Sequence, residues 1–89
     1  MIDTKEYLTY IKSQFCLICS TTPIDCDHLE AIGMGNNRKH QTPRDFSCIP
    51  LCRTHHSERH FIGNERFEDI YRINLWKEAF RLLRRYFIE

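Results

Sequence analysis

The chain has 89 residues, of which 42% are hydrophobic and 28% charged, and its formal net charge is +1. This composition is that of a folded globular protein and argues against intrinsic disorder. No apolar run approaches the roughly 20 residues that a membrane span needs. The N-terminus also lacks the apolar segment of a signal peptide. We therefore expect one cytoplasmic domain over residues 1–89 with no membrane partner.

The predicted elements of the first half begin with a helix over residues 3–14. Apolar residues recur there at helical spacing, and Asp3 or Thr4 is a candidate N-cap. Residues 16–22 are predicted to form a knuckle and residues 24–30 a first strand. Residues 31–44 contain two glycines, two asparagines and a proline, which favour a loop.

The second half is predicted to return as an antiparallel strand over residues 46–51. A helix then follows over residues 53–61, and Gly63 is placed to end it. Asn64 and Asn74 are candidate N-caps of two further helices. The last helix has a predicted apolar side made of Leu75, Trp76, Ala79, Phe80, Leu83 and Phe87. The expected fold class is α+β, with a two-stranded hairpin, a knuckle and flanking helices.

Five cysteines and five histidines carry most of the chemical information. An odd number of cysteines without a secretion signal argues against a disulfide framework. Cys16 and Cys19 form a C-x-x-C hook, and Cys52 and His55 form a C-x-x-H hook about 30 residues later. Two such hooks can close a tetrahedral structural zinc site, which can contribute on the order of 10 kcal/mol to folding.

Two alternatives to this zinc set stay open. Cys16 and Cys19 could form a thioredoxin-like redox pair, but the βαβ pattern of that fold is missing around them. Cys26 or Cys48 could replace His55 as a ligand. We prefer to interpret Cys26 and Cys48 as small buried residues that face each other across the hairpin.

A second group combines the D-H pair at Asp27 and His28 with His56 and His60. Residues four apart lie on one face of a helix, so the last two can chelate one ion. His55 points about 100° away from His56 and can serve a different metal. Any one of these histidines alone would more often be structural. Together with the aspartate they suit metal-assisted hydrolysis, in which a carboxylate holds the ion and an imidazole accepts a proton from water.

Basic residues cluster in two places. Arg38, Lys39 and Arg44 lie in the predicted loop with His40, and we favour contacts with nucleic-acid phosphates over a merely solubilising role. A second stripe is predicted to be the solvated face of the last helix, and it consists of Lys77, Arg81, Arg84 and Arg85.

Taken together, C-x2-C, D-H-L, G-M-G-N-N-R-K-H and I-P-L-C-x-x-H-H-x-x-x-H resemble the HNH nucleases. The pattern is similar to compact phage and prophage members of that family. It covers residues 16–63, and F-x-x-x-Y-x-I-x-L continues it. The resemblance implies a ββα-metal core over about residues 14–63, in which a hairpin and a helix clasp one divalent ion. The C-terminal helices would then occupy about residues 64–88.

The resemblance also implies a DNA endonuclease that uses Mg²⁺, Mn²⁺ or Zn²⁺. Asp27 would be the first ligand of the catalytic ion, His28 the general base, His56 a further ligand, and His60 an additional ligand one turn later. The structural zinc would be held by Cys16, Cys19, Cys52 and His55. DNA is the implied partner. Phage or host proteins of recombination, packaging or defence are candidate partners, and the host cytoplasm is the expected location of a phage-encoded chain.

The chain departs from the family pattern at one position. The asparagine that gives HNH its middle letter should fall near residues 45–47, where this chain has Asp45, Phe46 and Ser47. Asp45 or Ser47 is the candidate replacement for its hydrogen bonds to the loop that carries His28. The main rival function is a non-catalytic zinc module that docks on nucleic acid or on a protein. A redox or metal-carrier protein is a second rival.

Overall fold

The computed structural model describes residues 4–30 and 42–88. Within them the chain forms four α-helices, two strands and one 3₁₀ helix. In chain order they are α1 (Lys5–Lys12), β1 (Asp25–His28), the 3₁₀ helix η1 (Thr42–Ser47), β2 (Cys48–Leu51), α2 (Arg53–Ile62), α3 (Asn64–Tyr71) and α4 (Leu75–Ile88). The predicted α+β class is confirmed. No helix in the described residues combines the length and apolarity needed to cross a membrane.

The two strands pair antiparallel, with Asp25 opposite Leu51 and His28 opposite Cys48. Side chains alternate between the faces of a strand, so Asp25 and Asp27 share one face of β1. The helix α2 contacts that face through His56. The other face lies toward α1. The face against α2 therefore combines the two carboxylates of β1 with their paired residues on β2, Leu51 and Ile49, which are buried core residues.

The second strand is shorter than predicted, because residues 46 and 47 belong to η1. The hydroxyl of Ser47 accepts a hydrogen bond from the backbone N–H of Glu30 and donates one to the carbonyl of Arg44. Local side-chain bonds of this kind compete with the strand ladder for the backbone. They turn the chain just before β2 and bring η1 alongside the end of β1.

The core forms where α1 and α4 pack against β2, whose four residues are all buried. Tyr7 and Ile11 project from α1 into this core. The ring of Tyr7 contacts the rings of Phe46 and Tyr86, at centroid distances of 5.2 and 5.0 Å. These contacts hold α1, η1 and α4 together, and they fix α1 relative to the end of β1.

The last helix buries a narrower stripe than predicted. Leu75, Ala79 and Leu82 are buried, whereas three residues from the predicted apolar side are at least half exposed. Those three are Trp76, Phe80 and Phe87. The buried residues are spaced at i, i+4 and i+7 along α4, and Leu83 and Tyr86 pack against the core from partly buried positions beside them.

Of the two asparagines predicted as N-caps, one caps its helix. Asn74 caps α4 as expected, since its Oδ1 accepts a hydrogen bond from the N–H of Lys77 at 3.0 Å. Asn64, in contrast, lies inside α3, and Gly63 occupies the N-cap position. Gly63 also ends α2 as predicted. Its φ of 88° is a conformation that favours glycine.

Candidate active site and metal centres

Four thiol and imidazole groups converge where the knuckle meets the start of α2. Their potential ligand atoms lie within 4.8 Å of one another, and the residues are Cys16, Cys19, Cys52 and His55. The Sγ of Cys52 lies 3.1 Å from Nδ1 of His55 and 3.7 Å from the Sγ of Cys19. Three sulfurs and one imidazole nitrogen are a donor set of structural zinc sites. All four residues belong to the two hooks predicted from the sequence.

The knuckle is held in shape by its own backbone. Ser20 takes a positive φ of 59° and donates its N–H to the carbonyl of Cys16. The N–H of Leu17 reaches the carbonyl of Pro50 at 3.0 Å, which attaches the knuckle to β2. Because Cys52 directly follows β2, this bond brings the two hooks side by side.

The thiols of Cys19 and Cys52 have pKa values that are shifted in opposite directions. A hydrogen bond from the Thr21 hydroxyl is the main reason why the pKa of Cys19 falls to about 6. Desolvation raises the pKa of Cys52. The thiolate is the form that binds metal, so Cys19 is prepared for that role. A bound cation would favour the thiolate at Cys52 as well.

A second group joins β1 to α2. The Oδ1 atom of Asp27 lies 3.4 Å from Nε2 of His56 and 3.4 Å from Nε2 of His60. The two histidines are four residues apart on α2, and their ring centroids are 4.8 Å apart. Asp27 is only 1% exposed, while the side chain of His60 is 60% exposed. The group is therefore anchored by a buried carboxylate and open to solvent on one side.

Arg59 is a member of this site that the sequence motifs did not predict. Its Nε and Nη2 atoms donate to Oδ2 and Oδ1 of Asp27, each at 2.5 Å. Its Nη1 donates to Oδ1 of Asn64, at the start of α3. A two-pronged ion pair of this kind fixes the plane of a carboxylate. No sequence motif marks Arg59, although its position between His56 and His60 places it on the same helix.

Asp25 is a second missed residue. Its Oδ2 atom accepts a hydrogen bond from Nδ1 of His56 at 2.9 Å, and Arg53 contacts the same oxygen. A carboxylate on one ring nitrogen leaves the other nitrogen as the ligand atom, an arrangement common at metal sites. The D-x-D spacing of Asp25 and Asp27 was an available signal, because alternate residues of a strand share a face.

His28 lies on the opposite face of β1, toward η1. Its Nε2 atom is 2.6 Å from Oδ1 of Asp45. Of the two candidate replacements for the HNH asparagine, Asp45 contacts His28 directly, whereas Ser47 bonds the backbone of Glu30. Cys48 completes a third group of potential ligands with His28 and Asp45.

The predicted base and the predicted ion ligands share one cleft. The cleft has a volume of about 570 Å³, and its lining includes Asp27, His28, His56 and His60. Arg44 also lines it, with its Nε bonded to the carbonyl of Glu30. The other basic residues of the predicted phosphate-binding loop, Arg38 and Lys39, lie outside the described residues.

Cys26 and Cys48 belong to neither of the two predicted metal groups. A hydrogen bond between the two thiols lowers the pKa of Cys26 and raises that of Cys48. Cys48 is fully buried. The prediction that they face each other across the hairpin is wrong in detail, because Cys26 is paired with Pro50 and Cys48 with His28, which makes the two cysteines diagonal neighbours.

Comparisons with known proteins identify the family. A family described as "Putative HNHc nuclease" matches residues 2–83. The chain is also 36% identical over 67 residues to a protein of Escherichia coli (strain K12) named "Uncharacterized protein YdfU". That match covers 75% of this chain and 18% of the relative. No solved structure matches the chain. Because the family match spans the hairpin, α2 and both hooks, the chain belongs to the HNHc nuclease family.

Proposed function

We propose that the chain is a metal-dependent endonuclease that hydrolyses DNA phosphodiester bonds. The observation that carries the proposal is the convergence of Asp27 Oδ1 with the Nε2 atoms of His56 and His60, both at 3.4 Å, in the cleft that His28 also lines. One carboxylate and two imidazoles fit a divalent cation, and the open side of the group leaves room for water and a phosphate.

The proposed mechanism divides the work between the two faces of β1. A divalent cation held by Asp27, His56 and His60 would supply charge stabilisation at the scissile phosphate. His28 would take a proton from the attacking water through Nδ1, because Asp45 engages Nε2. Arg44 lines the cleft and is our candidate for offsetting the negative charge of the transition state.

The Cys16, Cys19, Cys52 and His55 group is proposed to hold structural zinc. Its four residues would supply all four donor atoms of a tetrahedral site, as in structural rather than catalytic zinc sites. The ring of His55 also packs edge-on against Tyr71, with centroids 5.5 Å apart. Zinc at this point would cross-link the knuckle, β2 and α2. A domain with a small core needs such a cross-link for stability.

DNA is the proposed substrate, gripped through its phosphates by Arg38, Lys39 and Arg44. Such contacts carry no base specificity by themselves. The phage and prophage resemblance makes proteins of recombination, packaging or defence candidate partners in a host cytoplasm. Those partners and that location stay predictions.

The rival function, a non-catalytic zinc module, needs only the cysteine hooks. It gives no reason for a buried carboxylate facing two histidines, or for a second carboxylate bonded to His28. A redox role for Cys16 and Cys19 is disfavoured by their placement beside Cys52 and His55 in one group of potential metal ligands. A metal-carrier role, like the zinc module, gives no reason for the residues of the cleft. The convergence in the cleft therefore supports the nuclease over both rivals.

A plasmid-nicking assay with added Mg²⁺ or Mn²⁺ tests the proposal. We expect His28→Ala to lower the cleavage rate by roughly 10²–10⁴-fold, the range for loss of a positioned general base, without weakening ion binding. His56→Ala should weaken ion binding instead, so that raised Mn²⁺ partly rescues its activity. Lys77→Ala, on the exposed face of α4, serves as the control.

Two outcomes would contradict the proposal. Cleavage at the wild-type rate by His28→Ala would remove His28 as the base. A zinc-loaded wild-type protein that nicks DNA with none of the divalent ions would make the non-catalytic module the better interpretation.

A further inference from the structure

The general base is connected to the N-terminal helix through two hydrogen bonds. Asp45 contacts His28 Nε2 through Oδ1 at 2.6 Å, and its Oδ2 accepts a hydrogen bond from the hydroxyl of Thr4 at 2.5 Å. Thr4 is 4% exposed. We infer that Thr4 is a positioning residue for the base, acting through Asp45. This inference rests on the proposed role of His28 and adds a residue outside the ββα core.

The arrangement uses both carboxylate oxygens of Asp45, one for each partner. A carboxylate that is hydrogen-bonded through only one oxygen can still rotate about its Cβ–Cγ bond. The Thr4 hydroxyl removes that freedom by holding the second oxygen, so the first oxygen stays aimed at His28. At metal sites, losing the outer partner of a ligating histidine typically lowers activity or metal affinity by roughly 10–100-fold, and we expect a loss of that size when the orientation of His28 is released.

The same contact selects the tautomer of His28. A carboxylate beside Nε2 favours the neutral ring that carries its proton there, which leaves the lone pair on Nδ1. That lone pair is what the proposed mechanism uses to accept a proton from water. Thr4 therefore bears on the fraction of His28 that is ready to act as a base.

A purely structural role for the Thr4 hydroxyl is helix capping, and the geometry argues against it. Thr4 occupies the N-cap position of α1, yet its side chain makes no capping hydrogen bond. An N-cap threonine ordinarily accepts a backbone N–H from the first turn of its own helix. Here the hydroxyl instead donates across 41 residues of sequence to Asp45.

The helix α1, which Thr4 precedes, is anchored in the hydrophobic core. Tyr7 and Ile11 are buried in the core one and two turns farther along α1, and the ring of Tyr7 packs on Phe46, the residue after Asp45. The carbonyl of Thr4 also begins α1 by accepting the N–H of Leu8 at 3.0 Å. The donor and the acceptor of the Thr4–Asp45 bond are thus fixed by the same part of the core.

The test compares Thr4→Val, which removes the hydroxyl at nearly constant volume, with Thr4→Ser, which keeps it. Thr9→Val is the matched control, because Thr9 is an exposed α1 threonine whose hydroxyl bonds only within its own helix, to the carbonyl of Lys5. We expect Thr4→Val to lower kcat by roughly 10–100-fold with KM for DNA unchanged. Thr4→Ser should restore kcat, and Thr9→Val should behave as wild type.

A second measurement does not need activity. In zinc-loaded, ¹⁵N-histidine-labelled protein at a pH where the ring is neutral, we expect His28 to be the Nε2–H tautomer, with His28→Ala assigning its signals. Thr4→Val should shift His28 toward a mixture of tautomers. If the wild-type protein fails to cleave DNA, the proposed nuclease function is wrong. The NMR spectrum would still show whether Thr4 acts on His28 through Asp45.

Three results would overturn the inference. One is an Nδ1–H tautomer of His28 in the wild type. The spectrum of the wild-type protein alone decides this point. Another is Thr4→Val with an unchanged kcat and an unchanged tautomer. The third is equal impairment of Thr4→Ser and Thr4→Val, since the loss would then come from packing and not from the hydroxyl.

Discussion

Asp25 and His56 are 31 residues apart in the sequence, and their Oδ2 and Nδ1 atoms lie 2.9 Å apart. The contact turns Nε2 of His56 toward Asp27, where the proposed catalytic ion would bind. Asp25 thereby controls a proposed ligand without itself belonging to the ligand group. The hairpin register makes this possible, because it places both aspartates of β1 on the face against α2.

Replacing Asp25 by alanine should weaken binding of the catalytic ion by roughly 10–100-fold, since His56 loses the partner that fixes its ring. Calorimetric titration of Mn²⁺ into the zinc-loaded protein measures this change. Arg53→Ala is the control, because Arg53 contacts the same carboxylate from an 80% exposed position. Equal Mn²⁺ affinity for wild type and Asp25→Ala would remove Asp25 from the site.

Replacing Arg59 by alanine should leave Asp27 as a buried carboxylate without its two-pronged partner. Breaking a buried ion pair in this way costs about 3–5 kcal/mol of unfolding free energy. Adding Mn²⁺ should recover part of this loss, because a cation at Asp27 replaces the missing charge. Denaturant unfolding with and without Mn²⁺ gives both values.

The double variant Asp27→Ala/Arg59→Ala separates this charge effect from the loss of packing. We expect it to be more stable than Arg59→Ala alone, since no buried charge is left uncompensated. A double variant as unstable as the sum of the two single variants would show that the two residues act independently.

Purified protein should contain about one tightly bound zinc per chain, because the hooks form one four-ligand group. Cys16→Ser should lose the zinc and much of the helical circular dichroism signal. Cys26→Ser should keep both, and this control excludes a zinc set built on Cys26. Wild-type protein that stays folded and zinc-free after dialysis against EDTA would count against a structural zinc.

The basic loop should act through phosphates. Substituting both Arg38 and Lys39 by alanine should weaken DNA binding and reduce the slope of log K against log salt concentration by about two, roughly one unit for each lost contact. Fluorescence anisotropy over a series of salt concentrations measures the slope, with Arg84→Ala on α4 as the control. An unchanged slope in the double variant would make the loop merely solubilising.

The hydroxyl of Tyr7 is buried and has no hydrogen-bond partner in the described part of the chain. Burial also raises the pKa of this group, so it stays protonated. Tyr7→Phe should therefore raise the free energy of unfolding by about 1 kcal/mol, whereas Tyr7→Ala should cost about 3–5 kcal/mol through the cavity it leaves. A comparable loss of stability in Tyr7→Phe would reveal a partner for the hydroxyl.

The order of the helices and strands could be predicted from the sequence. So could the members of the two groups of potential metal ligands, the cysteine hooks and the group of Asp27, His56 and His60. Ligand spacing is a local property, so the hooks and the i, i+4 histidines of α2 could be recognised without any tertiary information. The order of helix, knuckle, strand, strand and helices could likewise be predicted from periodicity and turn residues. The family match at residues 2–83 agrees with what those motifs implied.

The partners of those residues could not be predicted in the same way. Arg59 and Thr4 reach the site only through hydrogen bonds across the fold, and nothing in their local sequence indicates those partners. Asp25 could have been recognised from its D-x-D spacing to Asp27, but its partner His56 could not. The burial of α4 was overestimated for a related reason. Periodicity shows which residues share a helix face, but the width of the buried stripe depends on the shape of the core, so Trp76 and Phe80 lie outside it.

His55 and His56 are consecutive residues in the first turns of α2, and each belongs to a different group of potential metal ligands. Adjacent positions on a helix differ by about 100° in direction, so the backbone itself sets the angle between the two centres. Many substitutions nearby should be tolerated. A one-residue insertion or deletion between Cys52 and His60 should not be, because it would rotate one set of ligands away while the other stayed in place. We therefore expect homologous chains to vary in the composition of this segment and to keep its length.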